Sequence, residues 1–253
     1  MTTAPAPEAR GGSLPSDPQR GATGGLQGGL HATVVDRLGT AIVRGDFPVG
    51  SVLATDELES RLGASRSVIR EAVRVLESLG MVRSRRRVGV GVCPREEWNV
   101  FSPLLIRWRL DSAERHDQLR SLSQLRRGFE PVAAELAATH ATPAQCADLT
   151  GAVMGMTRHA RSGDLEAYLA ADVLFHRTLL QASGNEMFAA LHAVVEEVLA
   201  GRTHHQLVPA EPNPDAVRLH GDLAQAVLAG DPAAARAATE QIIDEAQAAM
   251  EGD

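Results

Sequence analysis

The chain contains no lysine: all 25 of its basic residues are arginine. That bias reads as the coding composition of a GC-rich genome rather than as chemistry, and no function is inferred from it. Cysteine is nearly absent too. Cys93 and Cys146 lie far apart with no partnered spacing such as C-x-x-C, so neither a disulfide scaffold nor a thiolate zinc site is supported. No apolar run approaches the roughly 18 residues needed to cross a bilayer. The first residues, MTTAPAPEARGGSLPSDPQRGATGG, lack the apolar core of a secretion signal, and a cytoplasmic protein is expected. What is present suffices for a packed interior: 44% of the 253 residues are hydrophobic, and the length predicts one or two domains.

The formal net charge of −7 opposes binding to phosphate, but its distribution reverses that argument. Between Arg61 and Arg95, nine arginines face only Glu71 and Glu77, a net +7; the remaining 16 arginines and 30 acids leave −14 elsewhere. A basic segment on an acidic body is the electrostatic footprint of a nucleic-acid-binding module.

Residues 1–27 are rich in Pro, Gly, Ser and Ala without hydrophobic periodicity, and they read as a disordered tail. A winged helix-turn-helix is predicted over residues 28–95. Val34, Leu38, Ala41 and Ile42 mark a first amphipathic helix from Leu30 to Arg44, and a short second helix runs from Thr55 to Leu62. The third, Arg66 to Leu79, has Ile69, Ala72, Val73 and Leu76 on one stripe, with Arg66, Arg70 and Arg74 on another. VRSRRRVGVGV, Val82 to Val92, then reads as a two-stranded wing whose tip is Arg86, Arg87, Val88 and Gly89. The third helix has the dimensions of a major groove. Ser65, Arg66, Ser67, Arg70 and Arg74 are its candidate phosphate and base contacts, joined by the wing residues Arg86, Arg87 and Gly89. The plain alternative is a solvated arginine face, which the coincidence with a helix-turn-helix pattern argues against.

Beyond a linker over residues 96–113 the strand signals vanish, and residues 114–253 predict an all-α bundle of six or seven helices. Thr142-Pro143, Asn213-Pro214 and Asp231-Pro232 are helix starts; Asp164 and Asn185 are further caps, and Gln145 completes a capping box with Thr142. Trp98 and Trp108, in the connecting region, are expected to pack the two domains together.

On the helix predicted from about Asp164 to Ala182, Asp172 and His176 share the stripe of Leu165, Leu169, Leu179 and Leu180, and His220 shares a face with Ala216, Leu223 and Val227. Ionisable groups aimed at a core are costly unless paired or ligating something. A satisfied Asp–His pair and a divalent metal site such as one for zinc, built from Asp172, His176 and His220, are both open readings. Arg126 lies on the edge of the stripe Leu122, Leu125, Phe129, Val132, Ala133 and Leu136, where it can reach a cavity, while Arg127 points away. Either Arg126 binds an anion there or it pairs with Glu130 one turn on.

These residues carry a resemblance. LATDELESRLGASRSVIREAVRVLESL, Leu53 to Leu79, with the following GMVRSRRRVGVGV, resembles the DNA-binding domain of the GntR family. LRRGFEPVAAELAA (Leu125 to Ala138), Asp172-x-x-x-His176, ASGN (Ala182 to Asn185) and LHGDLAQAVLAGD (Leu219 to Asp231) are similar to the FCD effector domain of its FadR subfamily. The resemblance implies a homodimeric repressor that binds a near-palindromic double-stranded DNA operator and is released by a small carboxylate. Arg66, Ser67 and Arg70, with the wing tip from Arg87 to Gly89 in a minor groove, would contact the operator; Arg126, Asp172, His176 and His220 would line the effector pocket. Metal-binding members add a last histidine about 22 residues after the one matching His220, where this chain has Ile242, so the implied metal site is incomplete. The segment Leu104-Leu105-Ile106-Arg107-Trp108-Arg109-Leu110 resembles the linker of galactonate-operon repressors, which favours a sugar acid as effector. Its hydroxyls would meet Asp172 and His176 and its carboxylate Arg126. Two other classes compete. One is a metal-dependent enzyme at Asp172, His176 and His220, for which no general base is evident; the other is an architectural DNA-binding protein, which leaves the inward polar groups unexplained.

Overall fold

The computed structural model describes residues 29–85, 88–205 and 214–251. The tail and Asn213 of the Asn213-Pro214 start lie outside them, as do the wing residues Arg86 and Arg87.

Three helices open the chain, α1 (Leu30–Arg44), α2 (Thr55–Leu62) and α3 (Arg66–Ser78). Their apolar stripes meet: Leu38, Leu58, Ile69, Ala72 and Leu76 are all but inaccessible to solvent. At about 25 cal/mol per Å² of apolar surface, each fully buried Leu or Ile contributes about 1.5–3 kcal/mol. The wing is a three-stranded antiparallel sheet, not a two-stranded one. Strand β3 (Gly89–Val92) lies between β2 (Val82–Arg85) and β1 (Val52–Leu53). Two residues are too few for an alternation to show in sequence, which is why β1 was not foreseen.

Helix α4 (Pro103–Leu110) occupies the predicted linker, and its side chains enter two different cores. Leu105 and Trp108 complete the core of the winged domain, whereas Ile106 and Leu110 pack with Leu119, Leu122, Val194 and Val198 of the bundle. The Trp108 ring lies flat on α1 at Gly39, where an added Cβ would come within 2.5 Å of it, and its Nε1 donates to Asp36 Oδ1 at 3.1 Å. Trp98 stays within the winged domain, donating its Nε1 to the Cys93 carbonyl. Both tryptophans pack into the winged domain, and the bridging expected of them is done by Ile106 and Leu110 of α4.

The bundle comprises α5 (Arg115–His140), α6 (Pro143–Ser162), α7 (Leu165–Ala182), α8 (Glu186–Ala190), α9 (His192–His204), α10 (Pro214–Ala229) and α11 (Pro232–Glu251). Its starts are capped as the sequence predicts. Thr142 and Gln145 form a reciprocal capping box, and the side chains of Asp164, Asn185 and Asp231 accept from the backbone N–H of Ala167, Met187 and Ala234. Helix α4 is clamped to the bundle by Arg107, which donates twice to Glu197 of α9, and by Leu110, whose Cδ1 fills the space a Cβ at Gly201 would need, 2.6 Å away. Among the described residues no helix is long and apolar enough to cross a membrane.

Candidate functional site

Two sites emerge at opposite ends of the junction. On α3 the stripe Ile69, Ala72, Val73 and Leu76 is buried, and this forces Ser65, Arg66, Ser67, Arg70 and Arg74 into solvent. Ser65 precedes the helix in extended conformation but does not cap it; its Oγ lies 3.0 Å from Ser67 Oγ, so both hydroxyls stay at the surface. Arg74 is held by Glu71 at 2.6 Å, while Arg66 and Arg70 make no ion pair among the described residues. Free guanidiniums at the start of an exposed helix are what phosphates and guanine edges accept. On the wing, Arg83 is tied to Glu97 at 2.8 Å. Arg85 is exposed at the end of β2 and was not singled out from sequence, although it belongs to the same arginine run. Gly89 lies inside the sheet, not at the tip: it pairs with Arg85. Its φ of +129° and a Leu53 carbonyl 2.7 Å from where a Cβ would stand explain the glycine. Of the predicted tip, Val88 is the described residue outside both strands, its N–H donating to the Arg85 carbonyl at 3.0 Å.

The second site is a pocket of about 40 Å³ among the bundle helices. Helix α5 brings Arg126, α7 brings Tyr168, Asp172 and His176 at four-residue spacing, α9 brings Arg202, and α10 brings His220. The predicted set of Arg126, Asp172, His176 and His220 is thus assembled in one place. Tyr168 and Arg202 were missed. Tyr168 continues the Asp172 and His176 stripe one turn earlier, a signal that periodicity could have revealed. Arg202 follows the buried run Val194, Val195, Val198 and Leu199 just as Arg126 follows its own.

Asp172 Oδ1, His176 Nε2 and His220 Nε2 form a triangle with edges of 3.4 Å. The two edges to Asp172 are ion-pair contacts without hydrogen-bond alignment, the His176–His220 edge is a hydrogen-bond contact, and Asp172 Oδ1 is buried without a hydrogen-bond partner among the described residues. Three donors about 2.0–2.1 Å from one tetrahedral ion stand roughly 3.4 Å apart, so the triangle has the spacing of a divalent-metal ligand set. The outer contacts suit the same role. His220 Nδ1 donates to the Ala216 carbonyl at 2.7 Å, which orients the ring with Nε2 toward Asp172 and His176, and His176 Nδ1 faces Glu130 Oε2 at 3.3 Å, close but too oblique for a hydrogen bond. Phe175 wedges edge-on against both rings.

Arg126 is paired within the protein along one edge of its guanidinium. Its Nε and Nη2 donate to the two oxygens of Glu130 at 2.6 and 3.1 Å, so that edge is already filled. Burial opposes the charge on Glu130, but Arg126 and His176 outweigh it and hold the carboxyl down to about 2. Asp172 is likewise pushed up by burial and pulled well below the usual carboxylate range by His220, His176 and Arg126. Burial raises the Tyr168 phenol, which stays protonated and a donor.

Comparisons with known proteins identify the family. The model of the gntR family of bacterial regulatory proteins matches residues 30–92, and that of the FCD domain matches residues 121–245. The HTH-type transcriptional regulator Rv0494 of Mycobacterium tuberculosis is 31% identical over 85% of this chain and 85% of its own. The chain belongs to the GntR family. The galactonate operon transcriptional repressor of Escherichia coli K12 is 30% identical over 65% of this chain and 72% of its own length. The Listeria monocytogenes protein Lar has the same fold, with a TM-score of 0.56 at 17% identity over 90% of this chain and 99% of that one. Members of the family are transcriptional regulators, which removes the enzyme reading of Asp172, His176 and His220. In this GntR-family chain Ile242 lines the pocket wall, so the donor set among the described residues is the triad alone.

Proposed function

We propose that this regulator is a homodimeric cytoplasmic repressor that binds a near-palindromic DNA operator through α3 and the wing and leaves it when a small carboxylate, such as a sugar acid, enters the bundle pocket. The observation that carries this reading is α4, one helix buried in both cores. An effector can change operator affinity only by favouring one placement of the winged domains over another. The pocket has room for about three waters at roughly 10–15 Å³ each, less than a six-carbon sugar acid requires. Its entry therefore displaces a wall, and the α9 wall rests on α4 through Gly201 and Leu110. The name of one relative supports a sugar acid: it represses a galactonate operon.

Asp172, His176 and His220 would hold a divalent metal such as zinc, which when bound supplies positive charge for a carboxylate. Footprinting of the chain on the DNA upstream of its own gene tests the first half of the proposal. A protected two-fold site is expected, and no protection at concentrations that coat scrambled DNA would overturn it.

A further inference from the structure

The pocket contains two arginines in opposite states. Arg126 has the Nε and Nη2 edge of its guanidinium on Glu130. Arg202, near the end of α9, lines the same cavity, and its buried Nε has no hydrogen-bond partner among the described residues. A buried guanidinium donor without an acceptor is costly, and the cost is removed by a ligand oxygen. The charges point the same way. Arg126 and Glu130 cancel, Asp172 is turned to two imidazoles, and Arg202 shares the wall with Glu245, which together with Asp172 supports its charge, while burial and then Arg126 oppose it more strongly. An entering anion relieves both. Tyr168, on the neighbouring helix, adds a phenol donor to the same wall.

We propose that Arg202 receives the effector's carboxylate and that Arg126 is a positioning residue, holding Glu130 against His176. The proposal rests on the effector-pocket reading above and deepens it. It has a direct structural consequence, because Arg202 follows Gly201, the residue on which Leu110 of α4 sits. An anion that draws Arg202 into the pocket acts on the contact between α9 and α4.

The test is a thermal-shift titration of the full chain with acetate, D-gluconate, D-galactonate and citrate, each with and without zinc, repeated on Arg202→Gln and Arg202→Lys. Wild-type protein is expected to be stabilised by at least one of these carboxylates. Arg202→Gln raises the midpoint concentration about 10- to 100-fold, the loss of one charge-assisted contact, and Arg202→Lys recovers part of the response. If Arg202→Gln responds at the wild-type midpoint, the assignment to Arg202 is wrong while the effector pocket stands. If no carboxylate stabilises wild-type protein under either condition, the pocket is not an anion site and both readings fall. Arg126→Gln separates the two arginines further: it strands Glu130 and lowers the melting temperature of the unliganded protein, the signature of a positioning role.

Discussion

The arginines of α3 and those of the bundle pocket are the same residue under opposite rules. Arg66 and Arg70 are exposed and make no ion pair among the described residues, whereas Arg126 is almost wholly buried and turns one edge of its guanidinium to Glu130. A surface that meets phosphate in competition with salt needs guanidiniums that are free on arrival. An interior cannot leave a charge unpaired, so its cations are either neutralised by the protein or left for a ligand. The contrast teaches that a site's working charge is set by what remains after internal pairing, not by how many arginines line it.

The largest effect is expected where an internal pair is broken. Glu130→Ala should destabilise the bundle by about 3–5 kcal/mol, since it abandons a buried guanidinium, and differential scanning calorimetry measures the loss. A melting temperature equal to that of wild type would show the pair to be solvated. The mirror experiment is on the surface. Arg70→Ala should leave the melting temperature unchanged and weaken operator binding by about 1–3 kcal/mol in a gel-shift titration, while Arg74→Ala, already paired with Glu71, should cost less. Equal losses from both would erase the distinction between free and committed arginines.

Between the two regions, Gly39→Ala drives a methyl into the Trp108 ring, and overpacking of this kind costs about 1–3 kcal/mol. Loss of cooperativity between the domains in the same calorimetric trace is the expected sign. The smallest effect is on pH. Burial raises Glu114, but Arg95 and Arg109 outweigh it and lower its pKa. A carboxylate depressed in the folded state adds stability above its ordinary value near 4.5 and loses it as pH falls further. Glu114→Gln should therefore lower stability at neutral pH and flatten the acid limb, read by chemical denaturation at a series of pH values.

Much of this was legible in the sequence. Helices α1 to α3 follow from local periodicity and glycine stops, and the bundle starts from capping residues, because these signals act within one or two turns. Asp172, His176 and His220 could be found since an ionisable group on an apolar stripe is conspicuous wherever the helix packs. The fate of Arg126 was not legible: an edge position allows both a ligand clamp and a pair with Glu130, and only closure of α7 over α5 decides between them. Arg202 needed the tertiary structure for the same reason. Helix α4 hid its role because alternate side chains serve two cores, which blurs any single stripe.

One measurement bears most directly on the link between the two regions: fluorescence anisotropy of the chain on its own upstream DNA, titrated with D-galactonate, D-gluconate and related sugar acids in the presence of zinc. Sequence-specific binding that is released by one of these acids is the predicted result. Binding that is the same on scrambled DNA and indifferent to every acid would contradict it.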